Sequence, residues 1–104
     1  MDKINAIIET LEDLKVKDLK VYDFGKTSPF YDYFVIATVN ERQGSAAINH
    51  LKQKLTLDEI KNVEGKGGTW VLIDCNEVIV HLFTEDQRQY YDFDKRLMDV
   101  KQIR

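Results

Sequence analysis

The chain's 104 residues, 43 % hydrophobic and 32 % charged, predict one packed domain over 1–104, a size that buries roughly 65 % of its unfolded surface without staples, and they exclude a disordered chain. Fifteen basic against eighteen acidic residues, net −3, argue against extensive contact with a nucleic-acid backbone, and no run approaches the ~18 apolar residues of a membrane span. The lone Cys75 excludes an internal disulfide and fits a reducing compartment, and Met-Asp-Lys opens no leader, so a cytoplasmic protein with no membrane contact is expected.

Asp2 is placed to cap a first helix whose apolar stripe runs Ile4, Ile7, Ile8, Leu11 and Leu14. Leu19 to Phe24 reads as a strand, which Thr27-Ser28-Pro29 ends because proline brings no amide donor. Tyr31 to Val39 is an apolar run suited to a central strand buried on both faces. Asn40 with Gln43 forms a capping box for a second helix, its inner stripe being Gly44, Ala47, Ile48, Leu51 and Leu55. A weaker strand is expected around 57–63, then the glycine-rich turn Gly65-Lys66-Gly67-Gly68.

Trp70 to Tyr91 is the most informative stretch. Two short apolar runs flank Asn76-Glu77, which predicts a two-residue hairpin connection. With Cys75 opposite Val78, the pairs become Asp74 with Ile79, Leu72 with His81, and Trp70 with Phe83. Alternation puts these six on one face, and Val71, Ile73, Cys75, Val78, Val80 and Leu82 on an apolar core face. Thr84 with Gln87 then opens a terminal helical region reaching about Lys101. The order is α-β-β-α-β-β-β-α: an α+β, mixed α/β fold with a five-stranded sheet packed by helices.

Several constellations bear on chemistry. Gly44-Ser45 at a helix start suggests a nucleotide binder or nucleotidyltransferase, but no Asp-x-Asp follows on a neighbouring strand to hold magnesium. Asp92-Phe93-Asp94 has the spacing, yet i and i+2 side chains on a helix diverge. The 65–68 stretch lacks the Gly-Lys-Ser/Thr ending of a phosphate loop, so a turn is the better reading. His50, His81 and Cys75 have no liganding spacing, and Cys75 reads as an inert core thiol. His81 alone would be a buried, hydrogen-bonded histidine, and a lone tryptophan is most often core. Trp70, Phe83, Arg88 and Tyr91 can nevertheless converge, in residue types that dominate interfaces. Trp70 to Asp94 carries six acids and one strong base, Arg88. That suits a basic protein partner better than RNA, the blander alternative being a solvated acidic rim.

Trp70-Val71-Leu72-Ile73-Asp74, the Val-x-Val-His-x-Phe of 78–83 and the Arg88-x-x-Tyr91 pair resemble the ribosomal silencing factor S (Iojap-like) family. The resemblance continues in Asp32 to Thr38, Arg42-Gln43 and Glu64-Gly65, and covers roughly residues 16 to 97. The chain departs from the pattern at Val39-Asn40-Glu41, a shorter turn lacking the usual glycine and serine. It departs again at Arg96 and Leu97, where leucine and tryptophan are usual. The resemblance implies a nucleotidyltransferase-like fold and a translation repressor without catalytic, metal or cofactor-binding residues. It implies binding to the large ribosomal subunit through its fourteenth protein, on the face that meets the small subunit, and a steric block of subunit joining. The expected contact surface is Trp70, Asp74, His81, Phe83, Arg88, Tyr91 and Asp94, with Glu64 at its edge. Trp70 and Phe83 would anchor apolar contacts, Asp74, Asp94 and Glu64 would meet basic side chains, and Arg88 and Tyr91 would touch or brace. The alternatives are a nucleotidyltransferase-fold enzyme using Gly44 and Ser45, and a homodimer formed through the aromatic face.

Overall fold

The computed structural model describes residues 2–56 and 58–104; the Asp2 side chain and Leu57, on which a cap and the start of the third strand were expected, lie outside the described residues. Helix α1 (Asp2–Asp13) leads into β1 (Lys17–Asp23) and β2 (Tyr33–Thr38), and α2 (Glu41–Lys54) crosses to β3 (Asn62–Glu64). The hairpin β4 (Trp70–Cys75) and β5 (Val78–Phe83) follows, then α3 (Glu85–Tyr91), α4 (Phe93–Arg96) and a short β6 (Lys101–Gln102). One six-stranded sheet runs β3-β4-β5-β2-β1-β6. Only β2 and β5 pair in parallel among the described residues, so the sheet is mixed as expected.

The hairpin register is the one its loop length predicts: Cys75 faces Val78, Asp74 faces Ile79, Leu72 faces His81, and Trp70 faces Phe83. Asn76 turns the chain at φ 68, a left-handed conformation that asparagine tolerates well. Its N–H donates to Asp74 Oδ1 at 3.0 Å, so one oxygen of that carboxylate serves the turn. The Asn40–Gln43 capping box forms reciprocally, each side chain accepting from the other's backbone N–H. Thr84 behaves differently: its hydroxyl donates to Asp86 Oδ1 at 2.7 Å and makes no capping bond to the helix backbone.

Helices α1 and α2 cover one sheet face. Ile7, Leu11, Ile48 and Leu51 pack there against Val21, Val35, Val71, Ile73, Val80 and Leu82. The terminal helix expected through Lys101 is divided. Asp92 adopts φ 48 and ψ 52, which ends α3 and redirects the chain. The redirected segment lays Phe93, Leu97 and Val100 against a second cluster around Tyr22, Ile36 and Phe83 on the opposite face. It then adds β6 as a sixth strand beside β1. Leu97, one family departure, packs into this cluster, while Arg96 stacks over the Phe93 ring at 5.9 Å. The second face is thus covered at one end only.

Candidate functional site

Parity and register together map the second face. Tyr22 and Lys20 come from β1, Phe34, Ile36 and Thr38 from β2, and Ile79, His81 and Phe83 from β5. Asp74, Leu72 and Trp70 follow from β4, then Asn62 and Glu64 from β3. The α3–α4 segment lies over the Thr38–Phe83–Trp70 end.

At that covered end, Trp70 packs 4.5 Å from the Tyr91 ring, 5.0 Å from Phe83 and 5.7 Å from Phe93, measured between centroids. Its indole Nε1–H donates to His81 Nδ1 at 3.3 Å. His81 is only 4 % exposed. Burial pushes its pKa down to about 4, so the imidazole is neutral. With Nδ1 accepting from Trp70, the single ring proton sits on Nε2. That Nε2 is buried and has no hydrogen-bond partner among the described residues.

Gly65 explains the placement of Trp70. It sits at φ 77, and a Cβ there would lie 2.0 Å from the Trp70 carbonyl oxygen. The glycine-rich stretch is therefore a shaped turn, closed by Gly68 N–H donating to Gly65 O at 2.9 Å. Any side chain at 65 would displace the start of β4.

Arg88 is buried, and its Nε and Nη2 donate to the two Asp94 oxygens at 3.1 Å each, while Nη1 donates to Thr38 Oγ1 at 3.1 Å. Lys20 Nζ lies 3.3 Å from Asp94, and the Tyr22 hydroxyl donates to it at 3.2 Å. Burial alone would raise the Asp94 carboxyl. The bonds and charge of Arg88, joined by Lys20, outweigh it and hold the carboxyl below its usual value. Burial, then the charge and hydrogen bond of Asp94, push the Tyr22 phenol up to about 12. This network ties α4 to β1 and β2.

The uncovered end is a groove of about 780 Å³. Phe34, Leu72, Ile79 and His81 form its inner surface, and Asp74 and Glu64 stand on the β4–β3 side. The loop between β1 and β2 supplies the opposite wall with Phe30, Tyr31 and Asp32. Phe30 is 82 % exposed. Lys61 and Glu77 complete the rim, Glu77 being ion-paired with Lys3.

The eight expected contact residues therefore divide. Glu64, Asp74 and His81 share the groove, and Trp70 adjoins it through the His81 bond. Arg88, Tyr91 and Asp94 lie at the covered end, where Arg88 braces, and Asp94, expected to meet a partner's basic side chains, is instead held within the fold by Arg88, Lys20 and Tyr22. Phe83 requires correction. It is fully buried beneath Trp70, Tyr91 and Phe93, so it offers no surface for anchorage and supports the ring above it. Phe30, Phe34, Leu72, Ile79 and Asp32 escaped the reading of the sequence as site residues. Leu72 and Ile79 were on the correct face by parity, but nothing local marks which end of that face stays open. Gly44 is buried on the helical side, where an added Cβ would make ordinary contacts with the Val39 and Val71 side chains at 3.7 and 3.8 Å, so it belongs to the core packing of α2. Ser45 is exposed on the same helix. Among the described residues no helix is long and apolar enough to cross a membrane.

Fold and site define a small α+β domain that displays half of one sheet face, with a buried histidine and an acidic, aromatic rim. The family model described as ribosomal silencing factor during starvation matches residues 1–103. A ribosomal silencing factor of Chromobacterium violaceum is 35 % identical over 91 residues, covering 84 % of this chain and 75 % of that protein. One of Halalkalibacterium halodurans is 33 % identical over 96 residues, covering 88 % and 82 %. A crystal structure of a Chromobacterium violaceum protein superposes with TM-score 0.79 at 34 % identity, covering 88 % of this chain and 80 % of that one. The chain belongs to the ribosomal silencing factor family, whose members are ribosome-associated regulatory proteins.

Proposed function

We infer that this protein represses translation by binding the large ribosomal subunit through its fourteenth protein, at the face that meets the small subunit. Bound there, the domain excludes the small subunit by occupancy, with no covalent step or cofactor, in the cytoplasm where the subunits assemble. Family membership supports the ribosomal setting. The observation that carries the reading for this chain is the open half of the sheet face. Its rim holds four acids, Asp32, Glu64, Asp74 and Glu77, the last ion-paired with Lys3, against the lining base Lys61. Such a rim attracts basic protein side chains and repels a phosphate backbone. A fixed apolar floor of Phe34, Leu72 and Ile79 supplies area that gains by leaving water.

Sedimentation of the purified protein with isolated large subunits tests this. Cosedimentation at low micromolar concentration is expected. A protein that stays in the supernatant at saturating subunit concentration contradicts the reading, and sedimentation velocity of the free chain then tests the homodimer.

A further inference from the structure

Residues 93–104 are held on the second sheet face at few points. The four-residue α4 is too short to persist alone, and β6 lays only two residues beside β1. Burial of Phe93, Leu97 and Val100 on the second cluster supplies the apolar hold. Asp94 supplies the polar one, through Arg88, Lys20 and Tyr22. Further along, Ile103 N–H donates to Val21 O at 2.9 Å, and Val21 N–H donates to Arg104 O at 3.0 Å. Arg104 also pairs with Glu12, but both side chains are well exposed and such a pair contributes little.

Two features oppose that hold. Asp92, where the segment departs from α3, adopts φ 48, a conformation unfavourable for a residue with a Cβ. His81 Nε2 is buried without an acceptor, and so forfeits the bond that water would give it. Four rings pack around the imidazole. Phe34, Trp70 and Phe83 stand on sheet strands, at 4.6, 6.0 and 6.1 Å, and Phe93, at 5.1 Å, comes from the segment. Withdrawal of Phe93 therefore admits water to the imidazole and frees Asp92 to relax. The core under α1 and α2 includes no residue of 93–104, so it is kept when the segment leaves.

We propose that residues 93–104 are a strap that opens as one unit about Asp92, latched by Asp94, and so sets how much of the second sheet face is displayed. Closed, the strap confines the displayed surface to the groove. Open, it adds Tyr22, Ile36 and Phe83 to Phe34 in one continuous apolar face. The device rests on the fold and is independent of the ribosomal reading.

Amide hydrogen exchange of the native protein, followed residue by residue by NMR, tests it. Successive amides of a strand point to opposite neighbours, so Val21 N–H is protected by the strap, whereas Tyr22 N–H points to Phe34 of β2. Corrected for intrinsic rates, Val21 and Ile103 should exchange at least ten-fold faster than Tyr22, although the Val21 side chain is fully buried. Two variants separate the strap from other openings. Ile48→Val weakens a core contact that the open state keeps, so Tyr22 should exchange about five-fold faster and Val21 at the parent rate. Asp94→Asn weakens the latch, which is lost in the open and the unfolded chain alike, so Val21 and Tyr22 should both exchange about ten-fold faster. Equal exchange of Val21 and Tyr22 in the parent overturns the proposal, and needs no variant to fold. Equal acceleration of the two amides by Ile48→Val also overturns it, since only global unfolding then exposes Val21. An unchanged Val21 rate in Asp94→Asn means that β6 frays by itself, and overturns the single unit and its latch.

Discussion

His81 carries the sharpest pH signature of any residue in the site. Its folded pKa of about 4 lies below the ordinary histidine value of 6.5, so between those values the unfolded chain binds more protons than the folded one. Its neutral form therefore favours folding above pH 6.5, and that contribution is lost as pH falls toward 4, by about 3 kcal/mol in all. Carboxylates titrate in part of the same window, so the measurement is a difference. Melting temperature of the parent should fall more steeply from pH 6.5 to 4 than that of His81→Phe, and Trp70 emission should change only in the parent as its Nδ1 acceptor protonates. Parallel melting curves would show that the histidine is not neutral and buried as described. At the same scale, Arg88→Ala removes three charge-assisted bonds and leaves Asp94 with Lys20 and Tyr22. A loss of about 2 kcal/mol in denaturant unfolding is expected, discounted because Asp94 is partly exposed. From the resemblance Arg88 would touch or brace, and a brace needs a carboxylate. That Asp94 is the carboxylate depends on the turn at Asp92, which no local pattern around residues 92–94 announces.

Elements whose determinants are local were legible in advance. The β4–β5 register follows from a two-residue loop and alternation, and α2 begins where the Asn40–Gln43 box places it. The third strand was read around 57–63 but pairs at Asn62–Glu64, because Lys61 N–H donating to Asp74 O is where the chain first reaches β4. The helix after β5 was read as continuous. Its interruption gains the burial of Phe93, Leu97 and Val100 on the sheet, a tertiary contact that outweighs helix continuity. The groove was hidden for the same reason: which end of a face stays open depends on where that segment folds. Two substitutions probe these elements. Asp92→Gly relieves the left-handed conformation and should stabilise by about 0.5 kcal/mol, whereas a helix continuous through 92 would be weakened by glycine. Gly65→Ala drives a methyl into the Trp70 carbonyl and should cost about 2 kcal/mol or more, with altered Trp70 emission. Unchanged stability would mean that the turn does not position Trp70.

For the whole molecule the net charge of −3 is less informative than where the charge lies. Asp32, Glu64, Asp74 and Glu77 rim the open groove, while Lys20 and Arg88 are engaged with Asp94 at the covered end. Asp74→Lys places a like charge against a basic partner and should weaken large-subunit binding roughly thirty-fold or more. Asp99→Lys, exposed in the turn before β6, makes the same change in net charge outside the groove and should leave binding within about three-fold. Equal weakening by both would indicate nonspecific attraction, and folded Asp74→Lys binding as tightly as the parent would remove the groove from the interface.

Occupancy of the large subunit should by itself prevent joining. Separated subunits, mixed at the magnesium concentration that normally joins them, should yield fewer joined ribosomes as this protein is added. The fall should saturate with large-subunit binding and be lost with Asp74→Lys. Undiminished joining while every large subunit carries the protein would contradict the mechanism.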